Sequence, residues 1–310
     1  MKWWASVAVL LLSASSWATQ QYAASGMVLK IDRSRKALLV SCDDIPGFMN
    51  AMTMSFEVHD AKELDGLAAG AVVSFTLVVD KDSSYAQHIE VHPYETVEQD
   101  PLTARRLKLL SRLNSPDASA PQQLAIGATV PDFTLTDQVR RRVSLSQYAG
   151  KVVALNFIYT SCALPKFCYR ISNNFGVLQR RFKDKMGRDL ILLTVTFDPQ
   201  RDSPERLAHY AENWKANPET WHFLTGDVAD VQKVTGMFGM DYFPEEGLMD
   251  HSLHTAVIDR QGKLVSNIEG NRFTADQLGD LVNTVLSQPG NKRGAPSHLA
   301  HNLPQSKREP

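Results

Sequence analysis

A change of pattern in the middle of the chain restricts its fold more than any other feature. Residues 26–92 contain short β-branched or alternating segments between turn signals, whereas from residue 126 onward apolar strands alternate with amphipathic helices. Residues 94–125, which lie between these regions, are polar and include a stretch typical of linkers. A chain of 310 residues is also long enough for two cores. The sequence therefore predicts two domains, at 21–93 and 126–288, joined by that linker.

The first domain is expected to be all-β. Its five predicted strands occupy residues 27–32, 36–41, 53–58, 71–79 and 85–92. Five short strands in about seventy residues fit a small barrel of the OB kind.

The second domain is expected to be α/β with a thioredoxin-like order. We predict a central β-α-β unit, followed by a helix, two antiparallel strands and a closing helix. The predicted strands lie at 152–159, 189–197, 254–259 and 263–270, and the segments 133–137 and 143–148 precede the first of them. The predicted helices lie at 167–185, 204–214, 228–238 and 275–286. In this fold the start of the first of these helices is where a helix N-terminus lowers the pKa of a thiol.

Both ends of the chain are expected to lie outside the domains. A positive Lys2, an apolar run at 3–12 and small residues up to Ala18 are typical of a signal peptide at 1–18. The run is too short to span a bilayer, although an uncleaved anchor is the alternative interpretation. The polar tail at 289–310 is predicted to be disordered. The mature protein is thus predicted to be soluble and periplasmic, with membrane contact only through a partner.

All three cysteines lie in clusters of soft metal ligands. The first cluster is Cys42, Met49, Met52 and Met54, and the second is Cys162, Cys168 and His251. Thiolate and thioether sulfur prefer monovalent copper to harder ions, so Cu(I) is the expected metal, with Cu(II) as a further state at the second cluster. A formal net charge of −1 leaves no basic excess for phosphate neutralisation, so no nucleic-acid partner is expected.

The second cluster leaves two points open. Five residues separate Cys162 from Cys168, so Cys162 must lie in a loop if the two sulfur atoms are to meet. In an oxidising compartment the same pair can form a disulfide, which leaves Cys42 alone. His254 competes with His251 as the third ligand, and the position relative to the following strand favours His251.

A charged turn upstream of the helix at 204–214 has two interpretations. It contains Asp198, Arg201 and Asp202, and it is followed by Ser203 and Pro204, which suit the start of a helix. In one interpretation the turn serves only to begin that helix. In the other it also acts directly at the second cluster.

Residues 126–286 resemble the Sco/SenC family, thioredoxin-fold copper proteins that serve cytochrome c oxidase assembly. The resemblance rests on the segments PDFTLTD, VALNFIYTSC, FDPQRDSPE, DHS and TAVIDRQGKLV. It implies copper bound by Cys162, Cys168 and His251. The family commonly has three residues between its cysteines, so this chain is a variant with a longer loop.

Residues 21–93 resemble the small periplasmic copper- and silver-binding domain of the CusF type. The resemblance rests on ID at 31–32, DIPGFMNAMTMSF at 44–56 and GAVVSFTLV at 70–78. That family uses a histidine, two methionines and a tryptophan over the metal. The resemblance implies that Met52 and Met54 match directly, that Cys42 stands where the histidine is expected, and that Met49 stands where the tryptophan is expected.

Together the resemblances imply a periplasmic copper chaperone that binds Cu(I). Its target would be the copper site of cytochrome c oxidase subunit II or another copper chaperone. Oxidation of Cys162 and Cys168 would remove two thiolate ligands and release the metal. One alternative is a thiol–disulfide oxidoreductase, with Cys162 and Cys168 as the redox pair, that reduces cysteines of a copper-receiving protein. Another is a copper buffer or efflux accessory protein dominated by the first domain.

Overall fold

The structure is a computed structural model, and it describes residues 19–81, 83–92, 109–110, 113, 123–162, 165–245 and 248–288. The predicted signal peptide, the predicted tail and most of the predicted linker lie outside these residues. Within the described part of the chain, no helix is both long and apolar enough to cross a membrane.

Five strands close into a barrel, which confirms the expected OB-like architecture. They are β1 (Gln20–Asp32), β2 (Ala37–Cys42), β3 (Met52–Val58), β4 (Val72–Val79) and β5 (Ser84–Val91), in the order β1-β2-β3-β5-β4. β1 starts at Gln20, earlier than predicted, because its first half pairs with β4 and its second half pairs with β2. A strand with two partners closes the barrel without leaving an exposed edge.

The second domain has a seven-stranded sheet with the thioredoxin-like core that the sequence predicts. Its elements are β6 (Thr134–Asp137), β7 (Arg142–Ser144), β8 (Val152–Ile158), α1 (Arg170–Arg181), β9 (Leu190–Thr196), α2 (Pro204–Glu212), β10 (Trp221–Thr225), α3 (Val228–Met237), β11 (Tyr242–Glu245), β12 (Leu248–His251), β13 (His254–Ile258), β14 (Leu264–Glu269) and α4 (Ala275–Leu286). The sheet order is β14-β13-β8-β9-β10-β6-β7, and β11 pairs with β12 in a separate hairpin. β8, β9 and β10 are parallel, so the loops that follow them lie at one edge of the sheet.

Three strands, β10, β11 and β12, were not predicted from the sequence. β10 is buried along its whole length, so it lacks the polar–apolar alternation that marks a half-exposed strand. The hairpin of β11 and β12 is short and stands apart from the main sheet. It carries His251 at its end and therefore matters for the site.

The barrel packs directly against the second domain. Met27 and Leu29 of β1 are almost fully buried and belong to the hydrophobic core that includes the large sheet. Burial of side chains of this size stabilises the contact by about 1.5–3 kcal/mol each. Gly70 lies in the turn just before β4 and has φ +90. A Cβ at this position would lie 2.7 Å from Cγ1 of Ile268 in β14. The barrel thus reaches β14 only because Gly70 has no side chain.

Candidate metal centres

Three segments of the second domain bring two thiols and one imidazole together. Cys162 lies in the loop after β8 and is half-buried, Cys168 is completely buried just before α1, and His251 ends β12 with 5% of its surface exposed. Their ligand atoms all lie within 4.8 Å of one another. Two sulfur donors and one nitrogen donor in an apolar setting suit copper, since they are too soft for magnesium or calcium.

A wide helical turn accommodates the long spacing between the cysteines. The turn Pro165–Tyr169 has π-type spacing, and Phe167 has non-helical dihedral angles of φ −105 and ψ −112. Local π-type turns at the start of a helix occur often at functional sites. Cys162 stays in the loop, as the spacing required, and Cys168 still comes within reach of it.

The imidazole of His251 is oriented by the backbone. Its Nδ1 lies 2.8 Å from the carbonyl oxygen of Ser252. Because a carbonyl oxygen only accepts, Nδ1 carries the proton and Nε2 is the nitrogen that can offer a lone pair to a metal. The rings of Tyr159, Phe167 and Phe197 lie around the imidazole, with centroid distances of 5.6, 5.9 and 5.0 Å. These rings limit the access of water to this side of the site.

His254, the rival ligand, has a different environment. Its Nδ1 lies 3.3 Å from Oδ1 of Asn267, and burial lowers its pKa to about 4. It is not part of the group of ligand atoms around Cys162 and Cys168. The structure therefore places His251 rather than His254 beside the two thiols.

The electrostatic environment of Cys168 differs from the sequence-based expectation. Burial raises the pKa of the Cys168 thiol well above its ordinary range, and the neighbouring Cys162 raises it further. The expected lowering by a helix N-terminus is therefore wrong for Cys168, because desolvation of the thiolate outweighs the helix dipole. A metal ion at this position would supply the positive charge that stabilises a buried thiolate.

Asp202 holds the loop that leads to Cys162. Its carboxylate is fully buried and accepts hydrogen bonds from the backbone amide of Thr160, at 3.0 Å, and from the hydroxyls of Thr160 and Thr196. Arg206 of α2 donates to Oγ1 of Thr160 at 2.9 Å and to Oγ of Ser161 at 3.0 Å. These contacts fix the two residues that precede Cys162.

The charged turn begins α2 and supports the cysteine loop, and its direct action at the site stays a prediction, because none of its residues belongs to the group of candidate ligand atoms. Ser203 caps α2 by accepting a hydrogen bond from the backbone amide of Arg206, at 3.3 Å. Asp198 pairs with Arg201 at 2.6 Å, whereas Asp202 supports the cysteine loop. Arg206 was missed from the sequence, although its position four residues after Asp202 is the spacing of a helical ion pair.

The first cluster lies at one end of the barrel. Cys42 and Met52 are direct partners in the β2–β3 ladder, and Met54 is the partner of Val40. Because alternate residues share a face, Cys42, Met52 and Met54 all lie on the face of these strands that carries the barrel core. Met49 forms an isolated bridge with Ile45 and packs against the same core.

The members of the first cluster differ in exposure. Cys42 is buried, and burial together with the nearby Asp43 raises its pKa to about 12. Met52 is 52% exposed. Phe48 in the connecting loop stacks on Tyr22 with a centroid distance of 4.0 Å. The cluster thus combines a buried thiol with a thioether that faces solvent at the rim of the barrel.

Two family models match this chain. The model for SCO1/SenC matches residues 121–286, and the model for the copper binding periplasmic protein CusF matches residues 21–91. The expected fusion of a Sco-like region to a CusF-like barrel is confirmed by these matches. At the level of the families, copper is confirmed as the metal.

Several known proteins are similar to the second domain. An SCO2-like protein from Rickettsia typhi is 29% identical over 144 residues, which cover 44% of this chain and 67% of that protein. An SCO1 homologue from Bacillus subtilis is 31% identical over 97 residues, covering 31% of this chain and 49% of that protein. The chain thus spans about half the length of this second relative. Copper-bound ScoI of Bradyrhizobium japonicum has a TM-score of 0.43 and 26% identity, covering 52% of this chain and 99% of that one.

Proposed function

Because the chain belongs to the SCO1/SenC family, we propose that it is a periplasmic copper chaperone with one Cu(I) site in each domain. The observation that carries this proposal is the convergence of Cys162, Cys168 and His251, whose ligand atoms lie within 4.8 Å of one another. The CusF-like barrel adds a second set of soft donors, formed by Cys42, Met49, Met52 and Met54.

The residues of the second domain would bind and release copper through their protonation and redox states. Cu(I) binding displaces the protons of both thiols, and Nε2 of His251 provides the third donor. Cys162 is half-buried, so it offers the route by which an incoming thiol or thioether would exchange with the bound metal. Oxidation of the two copper-bound thiolates to a disulfide would pass two electrons to an external oxidant, such as a disulfide of a partner protein, and would remove both thiolate ligands at once.

Delivery to an oxidase is the proposed purpose of this site. A solved Sco structure with 23% identity is described as a member of the Sco family of cytochrome c oxidase assembly proteins with a disulfide switch. We extend that role to this chain, with the copper site of cytochrome c oxidase subunit II as recipient. The barrel would act as a store or donor of Cu(I) for the second domain.

Thiol–disulfide exchange is the second candidate function. It is favoured by the contrast between Cys162, which is half-buried, and Cys168, which is completely buried. An accessible thiol beside a buried one is the arrangement of an attacking and a resolving cysteine. In this case the protein would reduce a disulfide in the copper-receiving partner.

An anaerobic Cu(I) titration of the reduced mature protein tests the proposal. We expect two equivalents to bind to the reduced protein, and one after mild oxidation of the Cys162/Cys168 pair. Cys162→Ser should also reduce the stoichiometry to one, and Cys42→Ser should weaken only the barrel site. One equivalent in both redox states would place copper in the barrel alone and favour the exchange reaction.

A further inference from the structure

The outer face of the barrel strands that carry the soft ligands is held by the second domain. Ser41 and Thr53 are partners in the β2–β3 ladder. Ser41 precedes Cys42, and Thr53 stands between Met52 and Met54. Because side chains alternate along a strand, the two hydroxyls lie on the face opposite the ligand side chains. That outer face meets helix α4.

A single carboxylate oxygen of Asp280 accepts hydrogen bonds from the hydroxyls of both Ser41 and Thr53. Oδ2 of Asp280 in α4 accepts a hydrogen bond from Oγ of Ser41 at 2.7 Å and from Oγ1 of Thr53 at 3.0 Å. The other oxygen, Oδ1, pairs with the guanidinium of Arg181 in α1. Asp280 therefore links the two ligand-bearing strands to each other and to two helices of the second domain.

A second contact acts beside Cys42. Nε2 of Gln277, one turn before Asp280 in α4, donates to Oδ1 of Asp43 at 3.0 Å. The other carboxylate oxygen of Asp43 accepts from Oγ of Ser25 at 2.6 Å. The residues on both sides of Cys42 are thus attached to α4, which restrains the backbone from which the thiol projects.

We propose that Asp280 is a positioning residue for the copper site of the barrel. It touches none of the candidate ligand side chains, but it joins β2 and β3 beside Cys42 and its ladder partner Met52. A soft site with preset ligands retains copper more strongly, because no ordering of the strands accompanies binding. The inference rests on the proposed function, since it requires the barrel to bind Cu(I).

The test uses the full chain with Cys162→Ser and Cys168→Ser, so that the barrel is the soft site under study. The protein is loaded with Cu(I) without oxygen, and release to excess bathocuproine disulfonate is followed over time. Loss of a residue that orients metal ligands typically weakens binding by about 10–100-fold, so we expect Asp280→Ala to release copper about tenfold faster. Thr53→Val removes the barrel's partner in the same hydrogen bond and should increase the rate of copper release by a similar factor.

Matched variants separate positioning from general stability. Thr53→Ser keeps the hydroxyl and should retain slow release, whereas Thr53→Val keeps only the shape. Adding Asp280→Ala to Thr53→Val should have less than an additive effect, since both remove the same hydrogen bond. Ser55→Ala, at an exposed outward position on β3, is the control and should leave release unchanged.

Each outcome decides the inference. Unchanged release in both Asp280→Ala and Thr53→Val would overturn it and leave the proposed function intact. Fully additive effects of the two changes would also overturn it. If Asp280→Ala does not fold, the comparison of Thr53→Val with Thr53→Ser decides alone. Absence of Cu(I) binding by the parental cysteine variant would overturn the proposed role of the barrel and this inference together.

Discussion

The two soft-ligand clusters use similar donors but are assembled by different means. In the barrel, Cys42 and Met52 are partners in one ladder, so the register of two neighbouring strands places them opposite each other. In the second domain, the loop after β8, the turn before α1 and the end of the β11–β12 hairpin each contribute one candidate ligand. The first arrangement is local in sequence, whereas the second brings together segments that lie far apart in the chain.

The two clusters also differ in what supports them from outside. The loop before Cys162 depends on Asp202 and Arg206, which belong to its own domain. The strands of the barrel cluster depend on Asp280 and Gln277, which belong to the other domain. The barrel cluster, whose members lie close together in sequence, is thus the one that depends on contacts between the domains.

The largest effect is expected for Asp202→Ala. The change leaves the amide of Thr160 and two hydroxyls without their acceptor, which should lower the free energy of unfolding by about 3 kcal/mol. Copper binding should be weakened at the second site and retained in the barrel. Denaturation and Cu(I) titration check both expectations, with Glu205→Gln in the exposed first turn of α2 as the control. Equal loss of copper at both sites would remove the contrast between them.

Gly70→Ala should undock the barrel. A Cβ there combines an unfavourable positive φ with a clash against Ser266 and Ile268, and overpacking of this kind costs about 1–3 kcal/mol. Gly66 also has positive φ, at +75, but a Cβ there meets open space, so Gly66→Ala isolates the backbone strain. Chemical denaturation should show a larger loss for Gly70→Ala than for Gly66→Ala. Equal losses would mean that the contact with β14 contributes nothing.

Met52→Leu should separate copper binding from stability. Met52 is 52% exposed, so the free energy of unfolding should change by less than about 0.5 kcal/mol. Loss of its thioether should weaken Cu(I) binding in the barrel by about tenfold, a change of about 1.4 kcal/mol. Met27→Leu is the matched control, because Met27 is buried between the domains and should affect stability without affecting copper. Normal Cu(I) affinity in Met52→Leu would exclude Met52 as a ligand.

The smallest effect is expected from acidification. Although burial alone raises the pKa of Asp280, hydrogen bonds from Arg181, Ser41 and Thr53 lower it below its ordinary value overall. A lowered pKa in the folded state stabilises the fold above the unfolded value of about 3.9, and the contribution is lost as pH falls further. Unfolding measured between about pH 6 and 3 should therefore show a decline that Asp280→Asn reduces. If the stability of Asp280→Asn declines with falling pH as steeply as that of the unchanged protein, the carboxylate does not stabilise the contact between the barrel and α4.

The sequence predicted the elements that have a clear period or clear ends. The predicted helix at 275–286 has the bounds of α4, and in the structure Thr274 and Gln277 form a capping box at its start. β10 and the β11–β12 hairpin were not predicted, since complete burial removes alternation from β10 and the hairpin is short. The ligand types of both clusters were visible in the sequence, but Arg206 and Asp280 were not recognised as their supports.

The amino-acid sequence by itself predicted two domains and soft donors in each. These features follow from composition and from the alternation of side chains, which are local properties. Only the tertiary structure decided that His251 rather than His254 lies beside Cys162 and Cys168, that burial raises the pKa of Cys168, and that the barrel docks on α4. Those outcomes depend on desolvation and on contacts between segments far apart in the chain, which no local pattern records.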